Sequence, residues 1–318
     1  MCIPPKTQIA AFDVASWEVD AEFGVFPQGA RAKDAVFAPD SPPEPVIIPG
    51  RRYLFKRSRQ NYPDQFWAEV VAYRIGCLLG VEVPPAFAAW NSNTKICASL
   101  IEWFYVDGQE TFMWGGEFLQ QMRPEFDRKR GSLHNLKDIS ALMRLWTRLK
   151  ILHTDWRQWW VDALLFDALI GNTDRHQDNW GFVFRPDSIR LSPLFDNGTS
   201  LGHERLTEKV AQWSNADMDR YIKRGCHHLK WSMDEPTLTK RHLNLLRKAL
   251  SEWPQTRQTA KQRMDFSEME LAKAFDDLTE LDVPVCFSVE RRSFMLRLLR
   301  RRHELLKELL NEYPATHY

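Results

Sequence analysis

The sequence contains no apolar run approaching the roughly 20 residues that a membrane-spanning helix requires, and Met1–Ala11 lacks a basic segment followed by an apolar core. These absences lead to the expectation of a soluble, cytoplasmic protein with no membrane partner. Cysteine is sparse: Cys2, Cys77, Cys97, Cys226 and Cys286 are odd in number and widely spaced. That pattern offers neither a disulfide framework nor paired metal-ligand spacing, and reduced thiols are expected. Net charge is also nearly absent, with 43 Lys and Arg against 42 Asp and Glu. No whole-molecule field then draws the chain towards nucleic acid, and no direct nucleic-acid binding is expected. Internal repeats are lacking too. What is present is apolar bulk: 318 residues, 44% hydrophobic with 13 Trp, exceed one average domain and suffice for a substantial core shared by two lobes.

The pattern along the chain changes character near Val106–Met113. Before it, short β-like runs (Asp34–Phe37, Tyr53–Lys56, Ala98–Trp103) alternate with Pro- and Gly-rich turns and are interrupted by one helix over Gln65–Leu79. In that helix Phe66, Val70, Tyr73, Ile75 and Leu78 recur near helical spacing, and Gly80 supplies a C-terminal stop. Pro39–Gly50, with five prolines, is expected to be a surface excursion between two strands. Beyond Gly108 the periodicity predicts helices over Gly116–Met122, Leu136–Leu152, Trp156–Ile170, Thr237–Trp253 and Ser288–Tyr313. The expected fold is α+β: a small β-rich lobe over 15–107 and a large helical lobe over 108–318.

Chemistry concentrates in Leu169-Ile-Gly-Asn-Thr-Asp-Arg-His-Gln-Asp-Asn-Trp-Gly181, where polar and ionisable residues crowd together directly after a strongly apolar helix. Phosphoryl transfer needs a carboxylate to orient the attacking hydroxyl and oxygen ligands to hold Mg²⁺ over the phosphates, and kinases place this Asp and Asn five residues apart. Asp174 and Asn179 have that spacing. Seventeen residues on, Asp196 stands two positions before Gly198, a second hard ligand on a tight turn. Trp180–Phe184 and Ile189–Leu191 are predicted as two short strands that return the second Asp beside the first. Taken singly, Asn172, Asp174 and Asn179 would be ordinary helix and turn caps; the joint spacing is what favours catalysis. A cation for nucleotide phosphates is available at Lys56 on a β-like segment, and Glu69, thirteen residues later in the first helix, is its candidate partner, with Arg57, Arg59 and Arg74 as competitors. Upstream, Gly29 and Lys33 precede and open a strand; by themselves they read as an ordinary turn beside a basic residue, no glycine-rich loop pattern occurs, and a place near the β- and γ-phosphates takes its weight from the family resemblance below. The segment joining the last strand of the small lobe to the rest, Ile101-Glu102-Trp103-Phe104, is the candidate adenine contact.

In this order, Gly29-Ala-x-x-Lys33, Lys56, Asn172-x-Asp174-x-His176-x-x-Asn179 and Phe195-Asp196 resemble the bacterial HipA-like serine/threonine kinases over about residues 20–310. The resemblance implies a two-lobed protein-kinase-like fold, ATP and Mg²⁺ as cofactors, Asp174 as presumed base, Asn179 and Asp196 as metal ligands, and Lys56 at ATP. It also implies a protein substrate and, for toxin-type members, an antitoxin-like partner. Asp174-Arg-His176-x-x-Asn179 is similar as well to the catalytic loop of phosphatidylinositol kinases, so His176 is a second candidate base and a small-molecule or phosphoinositide acceptor is the alternative, with a non-catalytic binding module as a third class. Two departures stand out: there is little room for the extra N-terminal subdomain of full-length HipA toxins, and Phe26 occupies the place of the family's autophosphorylated serine.

Other signals carry less. Cys226-His-His228 lacks a second cluster that would complete a tetrahedral metal site. The last helix carries Arg291, Arg292, Arg297, Arg300, Arg301 and Arg302 beside an apolar stripe of Phe294, Leu298, Leu305 and Leu309, which predicts a solvated basic face rather than a binding site. Gly202–Lys209, with His203, Glu204 and Thr207, lies where a substrate-positioning loop would follow the Asp196 turn.

Overall fold

The computed structural model describes residues 2–22 and 32–313. Gly29 and Phe26 lie outside the described residues. The chain begins with strands β1 (Phe12–Asp13), β2 (Glu18–Val19), β3 (Lys33–Phe37) and β4 (Arg52–Arg57), then helix α1 (Phe66–Leu79), then β5 (Ala86–Asn91), β6 (Ile96–Glu102) and β7 (Thr111–Trp114). Helices α2 (Gly115–Met122), α3 (Leu136–Arg148) and α4 (Trp156–Ile170) follow, then the hairpin β8 (Gly181–Arg185) and β9 (Ser188–Leu191). Helices α5 (Thr207–Val210), α6 (Asn215–Arg224), α7 (His242–Glu252), α8 (Arg257–Arg263), α9 (Glu268–Lys273) and α10 (Val289–Asn311) complete the chain.

Six strands form one sheet in the order β1-β5-β6-β4-β3-β2, antiparallel except for the β1–β5 pair. The excursion between β3 and β4 is anchored by Ile47, which joins Val36, Tyr53 and Phe87 in an apolar cluster on the sheet. Helix α1 is buried on every residue except Leu78, and ends at Gly80 in the left-handed region with φ 71°. Its all-round burial explains why its apolar residues are not confined to one stripe: it packs on β5 and β6 and also on α4. A second, three-stranded sheet, β7-β8-β9, sits against the helices.

The structure departs from the sequence expectations where tertiary contacts compete with local periodicity. The segment around Met113, expected as a junction, is strand β7, because its backbone completes the β8 edge in the register Met113↔Phe182. The helix expected over Leu136–Leu152 stops at Arg148; Lys150 turns left-handed with φ 57°, and Leu152 bridges Ile189 as extended chain. The helix expected over Thr237–Trp253 is broken into a 3₁₀ turn at Thr237–Lys240 and α7, since Arg241 is held extended by a bridge to Cys226. The basic face of α10 is solvated only in part. Arg291 and Arg302 are buried, Arg291 pairs with Asp64, Arg292 with Asp276, Arg300 with Glu268 and Arg301 with Asp219.

Candidate active site

Helix α4 delivers the catalytic-loop candidate. Asp155 caps its first turn by accepting from the N–H groups of Arg157 and Gln158, and Gly171 closes it with φ 72°. Asn172 is then pinned from several sides: its N–H and Nδ2 donate to the carbonyl and carboxylate of Asp167, its Oδ1 accepts from the Asp174 N–H at 3.0 Å, and its carbonyl accepts from His242 Nε2 at 2.8 Å. Asn179 folds back through its Nδ2 to the Asp174 carbonyl at 2.6 Å. The residues 172–179 thus form a loop whose polar side chains satisfy its own backbone.

The β8–β9 hairpin forms as the alternation predicts, with Arg185 opposite Ser188, and returns the chain so that Asp196 comes beside the loop. Asp196 adopts φ 57°, a left-handed conformation that costs an L-residue energy and that the surroundings must impose. They do so through α1: Glu69 Oε2 accepts from the Asn197 N–H at 2.8 Å while its Oε1 accepts from Lys56 Nζ at 2.6 Å. Lys56 Nζ also reaches Asp196 Oδ1 at 2.5 Å, across 140 positions of sequence. Lys56 and Glu69 are 4% and 3% exposed, so this is a buried ion pair with a second carboxylate at its open side. Of the competitors for Glu69, Arg74 is engaged by Asp277 and Arg57 by Asp34.

A cleft of about 900 Å³ lies between the six-stranded sheet and the helical body. Lys33, Lys56, Glu102, Trp103, Phe104, His176, Asn179 and Asp196 all line it, which brings together most of the residues singled out from sequence. Lys33 stands opposite Lys56 in the β3–β4 register, placing two cations on one wall. Glu69 lies behind Lys56, and Asp174 is set beside the cleft, where Thr199 Oγ1 donates to its Oδ2 at 3.3 Å. At the junction, the N–H of Trp103 donates to the Arg52 carbonyl and its carbonyl accepts from the Arg51 guanidinium. Arg52 lies over the Trp103 ring at 5.0 Å, and Phe104 stacks on Phe195 at 5.1 Å, giving the cleft a flat aromatic wall.

Sequence reasoning passed over three residues that hold the loops in place: Asp167, Arg175 and His227. Burial raises the Asp167 carboxyl, but Arg175 and a hydrogen bond from His227 outweigh it and hold the group well below the usual carboxylate range. Arg175, fully buried, donates to Asp167, to the carbonyls of Asn179 and Phe195, and to Asn197 Oδ1 at 2.7 Å. One guanidinium therefore ties α4, the loop and the Asp196 turn together. The signal available in the sequence was an Asp inside an otherwise apolar helical run, Leu164-Leu-Phe-Asp167-Ala-Leu169, which needs a buried partner.

The family profile of the HipA-like C-terminal domain matches residues 26–278. The chain belongs to this family. The HipA-like chain is similar in structure to the Helicobacter pylori proinflammatory kinase CtkA, with a TM-score of 0.73 at 17% identity, covering 96% of this chain and 100% of that one. It also matches HipA of a Shewanella oneidensis toxin–antitoxin complex with HipB and operator DNA, at TM-score 0.47 and 14% identity over 98% of this chain and 73% of that one. No curated protein sequence matches it. The CtkA likeness establishes the architecture: a two-lobed protein-kinase-like fold with a curled β-sheet N-lobe and a helical C-lobe.

The site's oxygen donors suit Mg²⁺. Asn179 turns its Nδ2 into the loop, which leaves its Oδ1 available to a cation, and Asp196 adds a carboxylate. Two protein oxygens are enough for an ion that takes its remaining ligands from water and phosphate.

Proposed function

We propose that this HipA-like chain is an ATP- and Mg²⁺-dependent protein kinase that transfers the γ-phosphate to a Ser or Thr hydroxyl. The observation that carries the proposal is the Lys56 bridge between Glu69 and Asp196 at the wall of a cleft that also contains Asn179. In this reading Lys56 and Lys33 neutralise the nucleotide phosphates, Trp103 and Phe104 wall the adenine, and Glu102 lies at its edge. Asn179 and Asp196 would hold the metal, which supplies charge neutralisation for the transferring group when bound. The lobe boundary belongs near residues 107 and 108, where β6 has ended and β7 has yet to begin.

The geometry supports Asp174 rather than His176 as the base. The Asp178 N–H donates to His176 Nδ1 at 3.1 Å, so the neutral ring carries its proton on Nε2. That atom can donate to a phosphate oxygen but has no lone pair for an incoming proton. Asp174 Oδ2, already an acceptor from Thr199, can take the hydroxyl proton. Membership of the HipA-like family supports a toxin-type role, with an antitoxin-like partner that suppresses the transfer.

The test is transfer of radiolabel from γ-labelled ATP with Mg²⁺ into proteins of a host lysate. Asp174→Ala is expected to lower the rate about 10²- to 10⁴-fold, and Asp196→Ala to remove Mg²⁺-dependent turnover. Either variant labelling at the wild-type rate refutes that assignment, and label confined to lipid or small molecules refutes the protein-kinase reading.

A further inference from the structure

A second cleft, of about 660 Å³, opens at the start of the catalytic loop. Gly171, Thr173 and Thr199 form one side of it, and Thr199 is the residue whose hydroxyl meets Asp174. Its floor is Arg302 of α10, only 3% exposed. Nη1 of Arg302 donates to the Ala168 carbonyl at 2.8 Å, Nε makes no hydrogen bond, and the guanidinium forms no ion pair with any described residue. Burial lowers its pKa to about 10, against the opposing pull of Tyr221 and Glu204, so it remains a cation at neutral pH. A buried charge without a counter-ion is costly, and this one is brought deliberately close to the loop. Gly171 permits the approach, since a Cβ there would stand 2.5 Å from Arg302 Nη2.

Three further arginines line the same cleft. Arg205, Arg220 and Arg224 are exposed at the rim, so four arginines face two carboxylates, Glu204 and Asp217. Both carboxylates are engaged within the cleft, by Arg205 and Arg220, which leaves Arg302 and Arg224 as its cations without an ion pair to any described residue. Glu204 accepts from the Tyr221 hydroxyl at 2.9 Å and lies beside Arg205 at 3.3 Å and His203 at 3.6 Å. Asp217 caps Ser214 and pairs with Arg220 at 3.5 Å. The cations that serve nucleotide phosphates, Lys33 and Lys56, line the other cleft, so this second set is not needed for ATP.

We propose that this cleft is an oxyanion subsite for the phosphate acceptor. Resting on the protein-kinase reading, it holds a carboxylate or a phosphorylated side chain of the same protein segment that presents its hydroxyl to Asp174. Arg302 binds the anion at the floor, Arg224 attracts it at the rim, and the positive cleft selects acidic acceptor segments.

The experiment uses the full chain, γ-labelled ATP with Mg²⁺, and serine-centred peptide libraries in which each flanking position is scanned with Asp, Glu, phosphoserine, Ala and Lys. Wild type, Arg302→Gln and Arg224→Glu are compared after circular dichroism has established folding. At one flanking position wild type is expected to favour an anionic residue over Ala by roughly ten-fold in kcat/KM. Asp or Glu in front identifies a carboxylate ligand; phosphoserine in front identifies a phosphate. Arg302→Gln removes the preference, and Arg224→Glu shifts it towards Lys. Because Arg224 is exposed, the second variant decides the matter should the first fail to fold. Phosphorylation by wild type without acidic preference, or an Arg224→Glu profile identical to wild type, overturns the subsite while leaving the kinase reading intact. Absence of transfer to every peptide and protein despite ATP binding overturns the kinase reading instead, and the acceptor subsite with it.

Discussion

Arg175 is the side chain on which most of the candidate site converges. It is fully buried, and its removal leaves the Asp167 carboxylate with His227 and Asn172 only. Breaking a buried pair from one side costs about 3–5 kcal/mol, so Arg175→Met is expected to lower unfolding stability by that amount in a denaturant titration. A loss under about 1 kcal/mol would mean that Asp167 is held by its other donors. His242 offers a pH test. Burial, with Arg302 nearby, lowers it to about 3, while its unfolded value is about 6.5. Below that unfolded value the unfolded chain takes up a proton that the folded chain refuses. Stability from this group is therefore complete above about pH 6.5 and falls by about 1.4 kcal/mol per pH unit as pH drops towards 3. His242→Gln keeps a donor for the Asn172 carbonyl without titrating, so between pH 7.5 and pH 5.5 it should lose about 1.4 kcal/mol less than wild type. Equal losses would show that His242 is not buried neutral.

Among helices and turns, the end of α4 is where local and tertiary demands coincide. Gly171 is left-handed and also abuts Arg302, whereas Gly108, with φ 75°, has open space around its Cα. Gly108→Ala is expected to cost about 1–2 kcal/mol, the left-handed penalty alone. Gly171→Ala is expected to cost more than that, because Arg302 must also move, and to depress phosphotransfer by displacing Asn172. Similar losses for the two variants in thermal unfolding would argue against the close approach of α10. Helix α4 itself matches the span read from sequence residue for residue, since its cap, its apolar run and its terminal glycine all agree. Helix α7 does not, because its start is set by Cys226, which bridges Arg241, and by Asn172, which His242 contacts, and both partners lie outside the helical pattern.

The two lobes are joined electrostatically through Lys56, Glu69 and the Asp196 turn. Occupation of the cleft by ATP and Mg²⁺ should then stabilise the folded chain as one body. At a ligand concentration of 100 times Kd the gain is about 2.7 kcal/mol, measurable as a raised Tm. In Asp196→Asn the gain on adding ATP should no longer depend on Mg²⁺. An unchanged Mg²⁺ dependence would place the metal on other ligands.

The Asp174-to-Asn179 spacing, Lys56 on a strand, Glu69 in the following helix and the Asp196 turn were all legible from residue order, because each depends on chemistry carried within a few positions of chain. The same holds for the change from strand to helix beyond the first hundred residues. What only the tertiary structure decided is how those segments are held: that Glu69 meets Lys56 rather than Arg57, Arg59 or Arg74; that Arg175 binds two loops to Asp167; that β7 completes a second sheet; and that Arg291 and Arg302 of α10 turn inward, the latter to the floor of a second cleft. The physical reason is shared by the charged residues among these. A charged side chain has the same sequence signature whether it is solvated or buried, and the difference lies in the partners that the fold brings to it, some of them more than 100 positions away.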